Sequence, residues 1–186
     1  MQSGTRRAMP VTVALLVAVA TPTPAQQTVV NFKTLQTFLP AVELPGYVRK
    51  KPTGQTSSAM GMSSSEAKVV YERTGEHEEG TPTITVTVTD LAGNPAGGLA
   101  AVGFAMDVNE ETDEGYKKTI KVQNQYKGLE QATTTPESKS CEISVLVGNR
   151  FIVQLEGYLT DDAATLRKLL DTMKLAQLEK AGQAKG

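Results

Sequence analysis

The chain has 186 residues, with 19 Lys+Arg against 20 Asp+Glu, one His and one Cys. That length holds one domain with a tail, and 39% hydrophobic with 21% charged residues excludes a wholly disordered or collagen-like chain. A net charge of −1 gives no basic face for nucleic acid. One Cys rules out an internal disulfide and a Cys-rich zinc site, and one His rules out any scheme that needs two.

Residues 1–25 read MQSGTRRAMPVTVALLVAVATPTPA. Arg6 and Arg7 form a positive start, Val11 to Ala20 is a short apolar run, and small residues follow, so cleavage is expected after Ala20 or after Ala25. A spanning helix needs about 20 apolar residues, and this run is half that, so the segment is expected to be a cleaved signal peptide. No stable membrane span is expected once it is removed. Ala8-Met9-Pro10 departs from a twin-arginine signal, which favours the general secretory route. No Cys stands at the exit to carry a lipoprotein anchor. Cleavage takes away Arg6 and Arg7 and no acid, leaving 17 basic against 20 acidic residues. The short basic start and Gln26-Gln27 suggest a bacterial protein of the periplasm or the exterior.

Gln26 to Asn31 is read as a lead-in. Asn31 is placed to cap a short helix from Phe32, with Phe32, Leu35 and Leu39 on one face and Pro40 as its end. Pro45-Gly46 turns the chain, and Tyr47 to Lys51 begins a strand. Residues 52–65, PTGQTSSAMGMSSS, have loop composition. Glu66 to Arg73 alternates weakly. Thr83 to Asp90 alternates cleanly, with Ile84, Val86 and Val88 opposed to a row of threonines, as in a half-buried strand.

Asn94 and Pro95 open a predicted helix with Leu99, Val102, Gly103 and Met106 on one face. Its glycines cost about 1 kcal/mol each against Ala, so packing must hold it. Asp107 to Gly115 reads as an acidic loop. Tyr116 to Val122 and Tyr126 to Thr133 are strands. Cys141 to Val147 and Arg150 to Glu156 form a hairpin about Gly148-Asn149, a two-residue turn that opens with Gly. Thr160 or Asp161 caps a closing helix with Leu166, Leu169, Leu170 and Met173 as its stripe, and Asp161 and Asp162 lie at the positive end of its dipole.

The organisation expected is therefore a signal peptide (1–25), a lead-in (26–31), one domain (32–178) and a flexible tail (179–186). Short links favour antiparallel pairing. The fold class is α+β: a single antiparallel sheet of about six to seven strands with helices packed on it.

Few residues carry chemistry. Cys141 lies in phase with Ile143, Val145 and Val147, so its thiol is expected inside the core and inert. His77 sits among Glu76, Glu78 and Glu79 in a polar turn, a poor metal site. Residues 107–115 offer oxygens at alternate positions, but Thr112 and Lys118 stand where a helix-loop-helix calcium site needs Gly and Glu. A solvated loop is the first expectation there, and a weak Ca²⁺ site the alternative. Met60 and Met62 are soft ligands without a third partner. Ser63-Ser64-Ser65 lacks the glycine setting of a hydrolase elbow. Lys50-Lys51 and Lys117-Lys118 are read as solvated strand ends. No phosphate-binding or dinucleotide fingerprint occurs in the sequence.

Leu44-Pro45-Gly46-Tyr47 after a short helix, two strands, a small-residue helix, four strands and a closing helix resemble the order of elements in the PsbP-like α/β sandwich. That family includes an extrinsic photosystem subunit, Ran-binding Mog proteins and bacterial envelope proteins. Tyr126-Lys127-Gly128-Leu129-Glu130 and Val147-Gly148-Asn149-Arg150-Phe151-Ile152-Val153 resemble segments of secreted bacterial proteins. The likeness spans residues 32–178. It implies a non-catalytic accessory or binding module, without cofactor, that meets a protein or other envelope component. The alternatives are a cation sensor or metal-dependent enzyme using 107–115, and an envelope hydrolase using Ser63–Ser65 or Cys141.

Overall fold

Strands dominate because β-branched and hydroxyl residues alternate along most of the chain. A computed structural model describes residues 28–59, 62–78, 80–92, 103–135 and 138–183. The expected signal peptide, residues 94–102 of the expected 94–106 helix, and Met60-Gly61 lie outside the described residues. Among those described, α1 (Phe32–Gln36) precedes β1 (Tyr47–Arg49), β2 (Thr53–Ala59), β3 (Met62–Arg73) and β4 (Thr83–Asp90). Then come β5 (Asn109–Thr112), β6 (Gly115–Val122), β7 (Tyr126–Thr135), β8 (Ser138–Val147) and β9 (Phe151–Tyr158), followed by α2 (Ala163–Thr172) and α3 (Leu175–Gln183).

The nine strands form one open antiparallel sheet in the order β1-β3-β4-β9-β8-β7-β6-β5. β1 and β2 share the outer edge of β3: β1 pairs with Tyr71–Arg73 and β2 with Met62–Lys68. The α+β class stands, with two more strands than the upper expectation. The additions, β2 and β5, fall in segments expected to be loops.

Both corrections have one cause. In β2 and β3 the alternation is polar, and hydroxyls replace apolar packing: Thr56 bonds Ser65, Ser57 bonds Ser64 and Ser58 bonds Ser63, all at 2.8–3.0 Å. Such cross-strand hydroxyl pairs stabilise a sheet without a hydrophobic signature. β5 is an edge strand of Asn, Glu and Thr, wholly exposed, so nothing in its sequence marks a buried face.

Alternation does its expected work in the centre. Val69, Val86, Leu155 and Ile143 lie side by side across β3, β4, β9 and β8 and are no more than 1% exposed. The same face carries the three helices described above. α1 sets Leu35 under it, α2 sets Leu166, Leu169 and Leu170, and α3 sets Leu175 and Leu178. The expected stripe Leu166, Leu169, Leu170 and Met173 is buried. The closing helix is two helices, however, because Met173 takes an extended conformation (ψ 141°), and helix continues to Gln183 where a flexible tail was expected. Its cap is Asp162, whose side chain accepts from the Thr165 N–H. The lead-in also belongs to the core, with Val29 and Val30 buried.

The β8–β9 turn differs in detail from the expected Gly-opened type. Gly148 and Asn149 both have positive φ (58° and 52°), and the Arg150 N–H donates to the Val147 carbonyl. That is the mirror-image type I turn, whose twist suits a hairpin.

Candidate functional site

Polar assemblies interrupt the pattern on both faces of the sheet. On the helix-covered face, the central apolar row Val69–Val86–Leu155–Ile143 continues into Glu130 on β7 and Lys118 on β6. Glu130 is wholly buried. Its carboxylate accepts from the Tyr116 hydroxyl at 2.7 Å and from Nε and Nη2 of Arg167 on α2, with the Lys118 ammonium 3.5 Å away. Lys118 also lies 4.4 Å above the Tyr116 ring.

Burial pushes the Glu130 carboxyl up, but the bonds from Arg167 and Tyr116 and the two cations outweigh it and hold its pKa below the usual value. Burial, then the hydrogen bond that its hydroxyl donates to the Glu130 carboxylate, push Tyr116 up to about 12. At neutral pH this centre therefore holds a fixed carboxylate, a fixed phenol and a fixed guanidinium. It fastens α2 to the β6–β7 end of the sheet.

Cys141 lies on the same face, 2% exposed, as its phase predicted. Burial, then the charges of Asp162 and Asp161, push the thiol up to about 12. Its sulfur fills the space beside Gly157: a Cβ there would stand 2.6 Å from Sγ and 2.9 Å from Cγ2 of Thr160. Gly157→Ala is expected to cost about 1–3 kcal/mol by overpacking. Adding Cys141→Ala should recover part of it, read as a partial return of the denaturation midpoint.

None of the three helices described above packs on the opposite, more open face, where the Lys127 ammonium donates to the Ala105 carbonyl at 3.0 Å and Phe104, 7% exposed, lies beside Lys127 and Leu146. Glu142 and Glu156 stand directly opposite each other on β8 and β9, an arrangement that is unfavourable for like charges. Glu142 accepts from Gln131 at 2.9 Å, Ser144 at 2.6 Å and Gln154 at 3.2 Å, and the same Gln154 amide donates to Glu156 at 2.9 Å. Among the described residues no lysine or arginine ion-pairs with either. Beside them Gln131, Thr133, Ser140 and Tyr158 complete a depression of about 290 Å³, with Tyr158 62% exposed.

The other expected residues lie elsewhere. His77 is half-buried in the β3–β4 connection, its Nε2 without a hydrogen-bond partner among the described residues. Residues 109–112 form β5, so the expected acidic loop is corrected to one edge of a hairpin. Its side chains alternate between two faces instead of wrapping a cation, and Asp107 is ion-paired to Lys127 at 2.8 Å. No group of three ligating side chains occurs among the described residues. Ser63–Ser65 lie in β3 with their hydroxyls committed to β2. Met62 starts β3 and is exposed. Sequence reasoning passed over Glu130, Arg167, Glu142 and Gln154. A glutamate in phase with apolar positions of β7 was the available signal for the first, and nothing marked the others.

No protein-family model matches this chain, and no curated protein or solved structure proves similar to it.

Proposed function

We propose that this chain is an exported, non-catalytic binding module of the bacterial envelope, and that it meets its partner through the open face of the sheet. The observation that carries this reading is the Glu142–Glu156 pair beside Tyr158. Three neutral donors hold Glu142 in place, yet no cation of the described chain neutralises the pair, and an exposed aromatic ring stands next to it. Fixed polar groups flanked by an aromatic side chain are what recognition surfaces use. The groups with reactive potential on the other face are held in unreactive forms, which favours binding over catalysis. The leader-like residues 1–25 support export. The order of elements, with an opening helix, strands, a long β4–β5 connection, further strands and closing helices, supports a PsbP-like sandwich enlarged by β2 and β5.

Two measurements test the proposal. The exported protein should begin at Thr21 or Gln26 by N-terminal sequencing; an intact Met1 outside the cytoplasm would count against a cleaved leader. A photo-crosslinking residue at Thr87 or Leu129, both on the open face, should capture a discrete partner in the exporting cells. The same probe at Lys168, on the outer side of α2, should not. Equal labelling from both faces, or none from either, would remove the open face as the recognition surface.

A further inference from the structure

The two edges of the sheet are built differently. The β5 edge is short and carries Glu110 and Glu111, the charged protection that keeps edges from pairing. The β2 edge is seven residues, Thr53–Ala59, every one exposed, with no charge and no proline within it.

Which main-chain groups of β2 face outward follows from the ladder. The Lys50 N–H donates to the Val70 carbonyl at 2.8 Å, so residues 70, 68, 66, 64 and 62 of β3 aim their main-chain groups at β1 and β2. Their register partners Thr53, Gln55, Ser57 and Ala59 pair inward. Gly54, Thr56 and Ser58 then present N–H and C=O outward, and no described residue's main chain meets them.

From this edge we propose that β2 pairs antiparallel with β2 of a second copy of this chain about a two-fold axis through Thr56. Centring on Thr56 places Gly54 against Ser58, Thr56 against Thr56 and Ser58 against Gly54. Every outward donor then faces an outward acceptor, the condition for an isologous contact. The edge is neutral, so like charges do not oppose the contact. Its hydroxyls can repeat across the axis the Ser/Thr pairing that β2 already makes with β3. In an antiparallel sheet the axis is perpendicular to the plane, so the two open faces join into one continuous surface with the three described helices of each copy on the other side. The acidic β5 edges stay outside, and assembly stops at two copies.

Sedimentation equilibrium of the exported protein across micromolar to submillimolar concentrations tests this. The expected result is twice the chain mass, with slowed hydrogen exchange at the Gly54, Thr56 and Ser58 amides. Ser58→Pro removes an outward N–H and leaves the inward ladder intact, so it should halve the mass with an unchanged far-ultraviolet circular dichroism spectrum. Gln55→Lys with Ser57→Lys, which sets like charges opposite each other across the axis, should do the same without touching the backbone. A wild-type monomer at every concentration overturns the proposal. So does a dimer that survives both variants, or an assembly larger than two. Protected β2 amides in a monomer would overturn it in favour of another segment of the same chain on the edge.

Discussion

Arg150→Ala is expected to lower stability by about 3–5 kcal/mol, the cost of leaving a buried charge without its partner. Asp90, at the end of β4, is wholly buried. Arg150 Nε donates to its Oδ1 at 2.9 Å and Nη2 to its Oδ2 at 2.8 Å, a two-pronged pairing that only a guanidinium can make. The Val30 and Ala92 N–H groups donate to the same carboxylate at 2.6 and 3.0 Å. The remaining Arg150 donors reach the carbonyls of Thr28 and of Gly182 near the end of α3. One side chain thus joins the first described residues, the β4 end, the β9 start and the last helix. A melting-temperature drop on the order of 10 °C is expected for a chain of this size, with earlier hydrogen exchange in 28–30 and α3. Arg150→Lys should recover little, because a point charge cannot span these acceptors. A loss below about 1 kcal/mol would mean that the contacts are surface-like and contribute little.

Arg167→Ala should cost about 2–3 kcal/mol, less than the Arg150 change. Arg167 is half-exposed, and Lys118 remains beside Glu130 to take up part of the charge. Replacing both partners, Glu130→Met with Arg167→Met, should return stability to within about 1 kcal/mol of the parent, because no buried charge is then left alone. Urea denaturation of the three proteins makes the comparison.

The pH dependence has a definite sign. The folded Glu130 pKa lies below its unfolded value of about 4.3. Its contribution is therefore complete above that value and drains away as pH falls through the folded one. Tyr116 is raised to about 12 from an unfolded value near 10. Its contribution is complete below about 10 and is lost as pH climbs toward 12. The parent and the double Met variant should therefore differ by a constant amount between about pH 5 and 9.5 and converge or cross outside that window. A slope through neutral pH would show that the centre titrates there and is no fixed fastener.

The two charged fasteners show why part of this protein was unreadable from its sequence. Asp90 and Arg150 are 60 positions apart, and Glu130 and Arg167 are 37 apart. Each residue taken singly is an ordinary charged residue at a strand or helix position. The Glu142–Glu156 pair is similar: each glutamate falls on the solvent side of its own strand, and only the β8–β9 register sets them opposite.

What the chain's own order of residues determined is local and apolar. Thr83–Asp90 and the β8–β9 hairpin could be read because side chains alternate every second residue, and the buried phase of Ile84, Val86, Val88, Cys141, Ile143 and Val145 follows from that period. The Asn31 cap and the Leu166–Met173 stripe could be read because caps and helical faces repeat within one or two turns. The tertiary structure alone decided the rest. β2 and β5 became strands because a neighbouring strand satisfied their main-chain groups, and a lone polar segment carries no sign of that neighbour. Glu130 and Asp90 could be buried because guanidinium groups from distant elements arrived to pair with them. All three described helices packed against one face because the long apolar side chains of the core lay there.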